Sequence, residues 1–264
     1  MSHPFKRLLL ATEHTEFDSG AERVALEMAR QCSTPLSVVL PVSSNPEFEA
    51  AAAGLAERTE QEAAARMGEF EAAAKAAGVE VSLHARRGIA AEEIIAEAIE
   101  KNSDLIVIRR RGRRGFLAKL LIGEVVSRVV SISPCSVLMV PRNSGMWSRG
   151  ILAALDGSVV SEKVASIAAG IAIECGLPLH LLSVAADESK KIDAERIIAK
   201  AVKTAEENGV MVSGAVAVGR PCDEILASHA VADLIIVGTG DVRASGTVRK
   251  VAERSEMPVL VVRG

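Results

Sequence analysis

An internal repeat constrains this sequence more than any other feature. The segment RLLLATEHTEFDSG in the first half aligns with GILAALDGSVVSEK in the second, and SDLIVI further on aligns with ADLIIV. Matches that keep one order along a chain indicate duplication of a structural unit. The aligned pairs are Glu13 and Asp156, Cys32 and Cys175, Pro35 and Pro178, Gly88 and Gly219, Glu93 and Glu224, Asp104 and Asp233, and Val137 and Val259.

The repeat predicts two domains. A chain of 264 residues accommodates two units of about 130 residues each, which is an ordinary domain size. The stretch Asn143-Ser144-Gly145 interrupts the pattern between the copies, as linker residues do. We therefore predict a first domain over 1–142, a linker over 143–148 and a second domain over 149–264.

Each copy alternates apolar runs with amphipathic stretches, which indicates an α/β fold. Near-continuous Val, Ile and Leu runs are typical of parallel strands covered on both faces, and short connections imply right-handed crossovers. We predict a doubly wound, parallel five-stranded sheet of order 3-2-1-4-5 in each domain. In the first copy the predicted strands are Arg7–Ala11, Leu36–Val42, Val79–Ala85, Leu105–Ile108 and Val137–Val140, and the predicted helices cover 19–32, about 47–77, 90–101 and 124–131.

Composition narrows the classes of function. The formal charge of -3 and the scarcity of aromatic residues, with one Trp and no Tyr, argue against nucleic-acid binding. The apolar stretch Val164–Ile173 is too short for a membrane span, and the N-terminal apolar run is too short for a signal-peptide core. Four widely spaced cysteines indicate neither a zinc site nor a disulfide framework. We expect a cytoplasmic protein with reduced thiols and no membrane partner.

The fold class points to one edge of each sheet. In a doubly wound sheet, ligands bind beyond the carboxyl ends of the strands where the winding reverses, here after strands one and four. Strand four is followed by GTGDVRASGT in the second copy and by RRRGRRGFLAKLLIGE in the first. Glycines let backbone amides approach phosphate oxygens, and a helix N-terminus adds unpaired N–H groups.

These segments resemble the universal stress protein family. Its members carry a Gly-x-x-Gly pair and then Gly-Ser or Gly-Thr at a helix start, and they end in a strand like Pro134–Val140. Their first strand, with its acidic residue, is similar to the ILAALDGS that begins at Ile151. The resemblance covers both halves and implies the adenine-nucleotide alpha-hydrolase-like fold. It also implies that the acidic residue contacts adenosine and that the glycine loop and Gly-Ser/Thr pair hold the phosphates.

The resemblance further implies how the halves associate. In this family the last strand and its adjoining surface form the pairing interface. The two halves are therefore expected to pack as an internal pseudo-dimer, with a further homodimer and an unknown protein partner as additional associations.

In the second copy, the residues carried over from the family are Asp156, Gly238, Gly240, Gly246 and Thr247. The loop between Gly238 and Gly246 is shorter than the family spacing, and Asp241 stands where the second glycine belongs. Two readings stay open: a shorter nucleotide or a different pose binds here, or the glycines form only a tight turn into the last helix.

In the first copy, the carried-over residues are Glu13, Gly112 and Gly123. Arg109 replaces the first glycine of the motif, and Glu124 replaces the Ser or Thr at the helix start. The segment 109–114 contains five arginines. We favour a solvated basic loop on a half that has lost its ligand, with phosphate or nucleotide capture by the arginines as the alternative.

No catalytic or metal-binding constellation is visible in the sequence. The leading hypothesis is a non-catalytic stress-response protein that binds ATP, ADP or AMP in at least one half, the second being favoured. A scaffold of the same fold without nucleotide is the alternative, and a slow ATPase is the least favoured.

Overall fold

The computed structural model describes residues 4–43, 54–110, 123–240 and 246–264. The chain divides into two compact units, Phe5–Gly145 and Met146–Gly264, the latter together with Pro4. The division lies within the predicted linker 143–148.

The first unit is an α/β sheet domain. Its strands are β1 (Leu8–Ala11), β2 (Leu36–Ser43), β3 (Val81–Gly88), β4 (Leu105–Arg110) and β5 (Ser136–Pro141), and its helices are α1 (Ser19–Gln31), α2 (Leu55–Ala76), α3 (Ala90–Glu100) and α4 (Glu124–Ile132). The strands pair in parallel in the order β3-β2-β1-β4-β5. The predicted fold class and strand order are confirmed for this unit.

The second unit repeats this arrangement. Its strands are β6 (Ile151–Ala154), β7 (Leu179–Ala185), β8 (Val212–Val218), β9 (Leu234–Thr239) and β10 (Val259–Arg263), and its helices are α5 (Val159–Cys175), α6 (Lys191–Glu207), α7 (Pro221–Ala227) and α8 (Gly246–Arg254). The parallel order β8-β7-β6-β9-β10 is again 3-2-1-4-5. Strands β1 and β4, and likewise β6 and β9, are direct neighbours, so their carboxyl ends lie side by side.

The sheet cores explain the apolar runs in the sequence. In β4, the residues Leu105–Val107 are fully buried, and Leu234–Ile236 of β9 are equally buried. Since both faces of each sheet carry helices, strand residues of both orientations leave water, which favours burial by about 25 cal/mol per Å2 of apolar surface. Within the described residues, no helix combines the length and the apolarity that a bilayer crossing requires.

An aligned aspartate performs the same structural task in both units. The Asp104 carboxylate accepts hydrogen bonds from the backbone N–H groups of Lys6 at 2.9 Å and Arg7 at 3.0 Å. The Asp233 carboxylate accepts from the backbone N–H of Ser148 at 2.8 Å and of Arg149 at 3.1 Å. Each carboxylate thereby fixes the chain as it enters the first strand of its unit.

We expect Asp233→Ala to destabilise the second unit by about 2 kcal/mol, because hydrogen bonds to a charged acceptor contribute more than neutral ones. Trp147 is the single tryptophan of the chain and lies beside this contact, so the urea midpoint of its fluorescence measures the loss. Asp193→Ala is the matched control, because Asp193 takes part in an exposed ion pair within α6 and should change stability by less than about 0.5 kcal/mol. Equal losses in the two variants would contradict the assigned role.

Candidate functional site

In the first unit, the carboxyl edge of β1 and β4 is closed by an arginine. The Arg109 guanidinium lies 2.9 Å from the Glu13 carboxylate and 3.5 Å from that of Asp18. Asp18 is buried and also accepts hydrogen bonds from the backbone N–H and the hydroxyl of Thr15. The acidic residue predicted to contact adenosine is therefore engaged by a residue of its own unit.

The cavity at this edge has a volume of about 320 Å3 and an acidic lining. Among its described lining residues, the charged ones are the carboxylates of Glu13, Asp18 and Glu124 and the guanidinium of Arg109. Gly123 also lines the cavity and precedes α4, as predicted. Among these described residues, three carboxylates against one guanidinium give a net negative lining. Gly112 lies outside the described residues.

The prediction of a solvated basic loop over 109–114 is wrong for its first two residues. Arg109 and Arg110 belong to β4, which extends two residues beyond the predicted end at Ile108. Arg110 is buried, and Arg109 points to Glu13. The pairing continues through both residues because each is in register with β5, Arg109 with Val140 and Arg110 with Pro141. Residues 111–114 lie outside the described residues.

In the second unit, the corresponding acidic residue is exposed. Asp156 follows β6, and its Oδ1 accepts hydrogen bonds from the backbone N–H of Ser158 at 2.9 Å and from the hydroxyl of Ser161 at 2.8 Å. Partial desolvation by the neighbouring protein atoms raises the pKa of Asp156, but the hydrogen bonds from Ser158 and Ser161 lower it by more, so that the pKa lies below its usual value. The carboxylate is thus ionised at neutral pH and fixed at the edge next to β9.

The predicted glycines of the second unit have different surroundings. Gly238 lies inside β9, where a Cβ atom would come within 2.9 Å of Val164 and 3.0 Å of Val160. Its missing side chain therefore lets α5 approach the sheet. Gly240 follows the strand and is exposed, whereas Gly246 and Thr247 begin α8, as predicted.

Comparison with known proteins identifies a family with this architecture. The model of the universal stress protein family matches residues 4–141, about half of the chain. The chain belongs to the universal stress protein family. A universal stress protein of Methanocaldococcus jannaschii is 25% identical over 142 residues, which are 52% of this chain and 83% of that protein.

Solved universal stress proteins share the fold of the whole chain. A universal stress protein of Archaeoglobus fulgidus superimposes with a TM-score of 0.80 at 22% identity, covering 97% of this chain and 96% of that one. A putative universal stress protein of Pseudomonas aeruginosa superimposes with a TM-score of 0.68 at 18% identity, covering 98% and 94%. The two-unit layout is consistent with a tandem member of the family.

Burial raises the pKa of the thiols of Cys135, Cys175 and Cys222 in this universal stress protein, which favours their protonated form. Cys222 is buried and Cys32, Cys135 and Cys175 are half-buried, all as free thiols. Burial raises the pKa of Cys135 to about 11, against a lowering hydrogen bond from Ser133. A thiol rather than a thiolate is a poor nucleophile and metal ligand. Within the described ranges, no group of His, Cys, Asp and Glu is arranged to hold a metal ion.

Sequence reasoning missed the partners of Arg109. Asp18 and Thr15 are separated from it by about ninety residues, so nothing local in the sequence joins them. The parallel pairing of β1 with β4 carries the end of β4 to the loop that follows β1. The replacement of a glycine of the motif by the positively charged Arg109, with the acidic Glu13 after the first strand, was the available signal.

Proposed function

We propose that this universal stress protein binds an adenine nucleotide in its second unit, without catalysing a reaction, and acts in the stress response through protein contacts. The observation that carries the proposal is the contrast between the two acidic residues. Glu13 is paired with Arg109 at 2.9 Å, whereas Asp156 is exposed and ionised at the equivalent edge.

The geometry supports an adenine nucleotide at the second edge in two ways. The Asp156 carboxylate offers an acceptor for nucleoside hydroxyl groups, and its bonds to Ser158 and Ser161 hold it in place. The N-terminus of α8, which begins at Gly246, offers backbone N–H groups and the positive end of the helix dipole to a phosphate. Since Gly238 is used for helix packing, we expect fewer backbone contacts to phosphate than the full family motif provides, and hence a preference for a short phosphate chain.

Titration calorimetry with ATP, ADP and AMP tests the proposal. We expect Asp156→Ala to weaken binding by roughly tenfold or more, since a hydrogen bond to a charged group contributes about 1.5–3 kcal/mol. Asp156→Asn keeps the acceptor that fixes the loop but removes the charge, and it should show an intermediate loss. Glu13→Ala is the matched control in the first unit and should leave the affinity unchanged.

Three outcomes would contradict the proposal. Absence of binding by all three nucleotides would favour the scaffold that works through protein contacts alone. An equal loss in Glu13→Ala would place the nucleotide in the first unit. Release of phosphate from ATP that is abolished by Asp156→Ala would indicate an ATPase. Pairing of the halves through their last strands, and a homodimer, stay predictions.

A further inference from the structure

The second unit contains a groove of about 680 Å3 between α5 and α6. Its floor consists of Leu155, at the end of β6, and Leu179 and Leu181 of β7, all buried. Small-molecule sites commonly enclose about 300–1,000 Å3 behind a mostly apolar lining. The groove therefore has the size and the surface of a ligand site.

The groove adjoins the nucleotide edge proposed above at Ser158 and Ser161, which hydrogen-bond to Asp156 and also line the groove. The connections through α5 and α6 run in one direction along the sheet, and those through α7 and α8 run in the other. Right-handed crossovers then place the two helix pairs on opposite faces. The described groove lining contains neither Asp156 nor any residue of α8.

The first unit serves as an internal reference for the α6 wall of the groove. Gly78 and Gly209 follow α2 and α6 with φ values of 72° and 74°. The next residue in each unit donates its backbone N–H to the carbonyl five residues earlier, at Ala74 and Ala205. The two helix ends therefore correspond, and Ala201 takes the place of Phe70.

The α5 wall can be compared in the same way. After α1, the backbone N–H of Thr34 bonds to the carbonyl of Ala29, and after α5 that of Leu177 bonds to the carbonyl of Ala172. When residues are counted back from these equivalent helix ends, the alanines of α5 that line the groove correspond to larger residues of α1. Ala165 takes the place of Glu22, and Ala169 takes the place of Leu26.

Large side chains occupy this space in the first unit. Phe70 is 1% exposed, and its ring meets that of His14 edge-on at 5.7 Å between centroids. The His14 Nδ1 lies 3.0 Å from the Glu22 carboxylate. The counterparts of these residues are Ala201, Gly157 and Ala165, and all three line the groove. The second unit thus has a small residue at each of the three positions whose side chains fill this space in the first unit.

The charge at the mouth of the groove favours an uncharged ligand. Glu162 of α5 and Lys200 of α6 line the mouth and pair at 2.6 Å. Because the two charges satisfy each other, a charged head group would have to break this pair to gain a partner. The hydroxyl groups of Ser166 and Thr204, which also line the groove, suit a neutral polar head.

We propose that the second unit binds an uncharged apolar small molecule in this groove, with its hydrocarbon part on the three floor leucines. The leucine floor lies on the face of the sheet opposite α8, and the groove meets the nucleotide edge at Ser158 and Ser161. A segment of another protein laid into the same groove is the competing occupant.

Fluorescence titration with the neutral dye N-phenylnaphthylamine tests the proposal on the full chain. We expect saturable binding of one dye per chain, weakened by roughly tenfold or more in Ala201→Phe, which restores the first unit's residue. Ala199→Phe makes the same change at an exposed position of α6 and should bind like the unaltered protein. Anilinonaphthalene sulfonate, a charged analogue, should bind more weakly, and saturating ATP should leave the neutral dye bound.

Absence of saturable binding to the unaltered protein, or equal binding by Ala201→Phe, would overturn the proposal. Displacement of the dye by ATP would mean that the groove is part of the nucleotide site and would overturn a second ligand site, and equal binding of the sulfonate would overturn the preference for a neutral ligand. The urea midpoint of Trp147 fluorescence verifies that each variant is folded. If Ala201→Phe does not fold, Ala169→Leu narrows the opposite wall and must weaken binding for the proposal to stand.

Discussion

Phe70→Ala is expected to lower the free energy of unfolding of the first unit by about 3–5 kcal/mol, the usual cost of removing a buried aromatic ring. Phe70 is among the largest fully buried side chains of the described chain, and it packs edge-on against His14. Truncation removes these contacts and leaves a cavity that α2 cannot close without leaving β2 and β3, against which it packs.

The measurement is urea denaturation followed by far-ultraviolet circular dichroism, with Trp147 fluorescence recording the second unit separately. Phe70→Leu keeps part of the apolar volume and should lose less than the alanine variant. A loss below about 1 kcal/mol would mean that Phe70 is not the core residue that its burial indicates.

Arg86→Met is expected to destabilise the first unit by about 3 kcal/mol, because it removes the guanidinium bonded to the buried Glu97 carboxylate and leaves, among the described residues, only His84 and, at 4.0 Å, Lys101 beside that charge. The Glu97 side chain is 0% exposed and accepts a hydrogen bond from Arg86 at 2.6 Å, with His84 at 2.5 Å on its other oxygen. Arg86 also bonds to Glu93 at 3.0 Å and to Glu100 at 2.9 Å, so a single guanidinium joins three carboxylates of α3 to β3.

Arg87→Met is the matched control on the neighbouring residue of the same strand. Arg87 pairs with Glu60 at 2.6 Å, but the Glu60 side chain is 63% exposed, so the loss should stay below about 1 kcal/mol. The double variant Arg86→Met with Glu97→Leu removes the isolated charge and should recover much of the stability. Equal losses in Arg86→Met and Arg87→Met would contradict the assigned role of the buried carboxylate.

The same cluster predicts a dependence of stability on pH. Burial raises the pKa of Glu97, but hydrogen bonds from His84 and Arg86 lower it by more, so the pKa lies below its ordinary value of 4.5. The stabilisation is therefore complete above that ordinary value and is lost as the pH falls through the lowered one. Glu97→Gln should flatten this acid limb when urea midpoints are compared at successive pH values.

Much of the fold could be predicted because its signals are local. The apolar runs that form β1, β4 and β9 are continuous, as required of strands covered on both faces, and the glycines after α2 and α6 have the left-handed backbone that commonly ends a helix. The repeat then allowed the elements predicted in one half to be assigned to the other half. Boundaries were less accurate, since β4 continues through Arg110 by pairing with β5.

The candidate site was less predictable because its contacts join distant parts of the chain. The motif glycines could be found by their spacing, yet the packing of Gly238 against Val160 and Val164 was not visible in the sequence. The groove between α5 and α6 depends on the simultaneous replacement of residues on both helices. An alignment of Phe70 with Ala201 would have indicated it, but only after the helix ends had been matched.

The sequence by itself determined that this chain is a duplicated parallel α/β unit, because the period and composition of its apolar runs are properties of neighbouring residues. Only the tertiary structure showed that the two halves differ in the side-chain contacts at their corresponding sites. In the first unit Arg109 pairs with Glu13, whereas the corresponding Asp156 of the second unit is exposed. Phe70 fills a space in the first unit, whereas its counterpart Ala201 lines an open groove in the second. Each difference involves side chains from elements that are distant in the sequence. Only the pairing of strands and the packing of helices bring those side chains into contact.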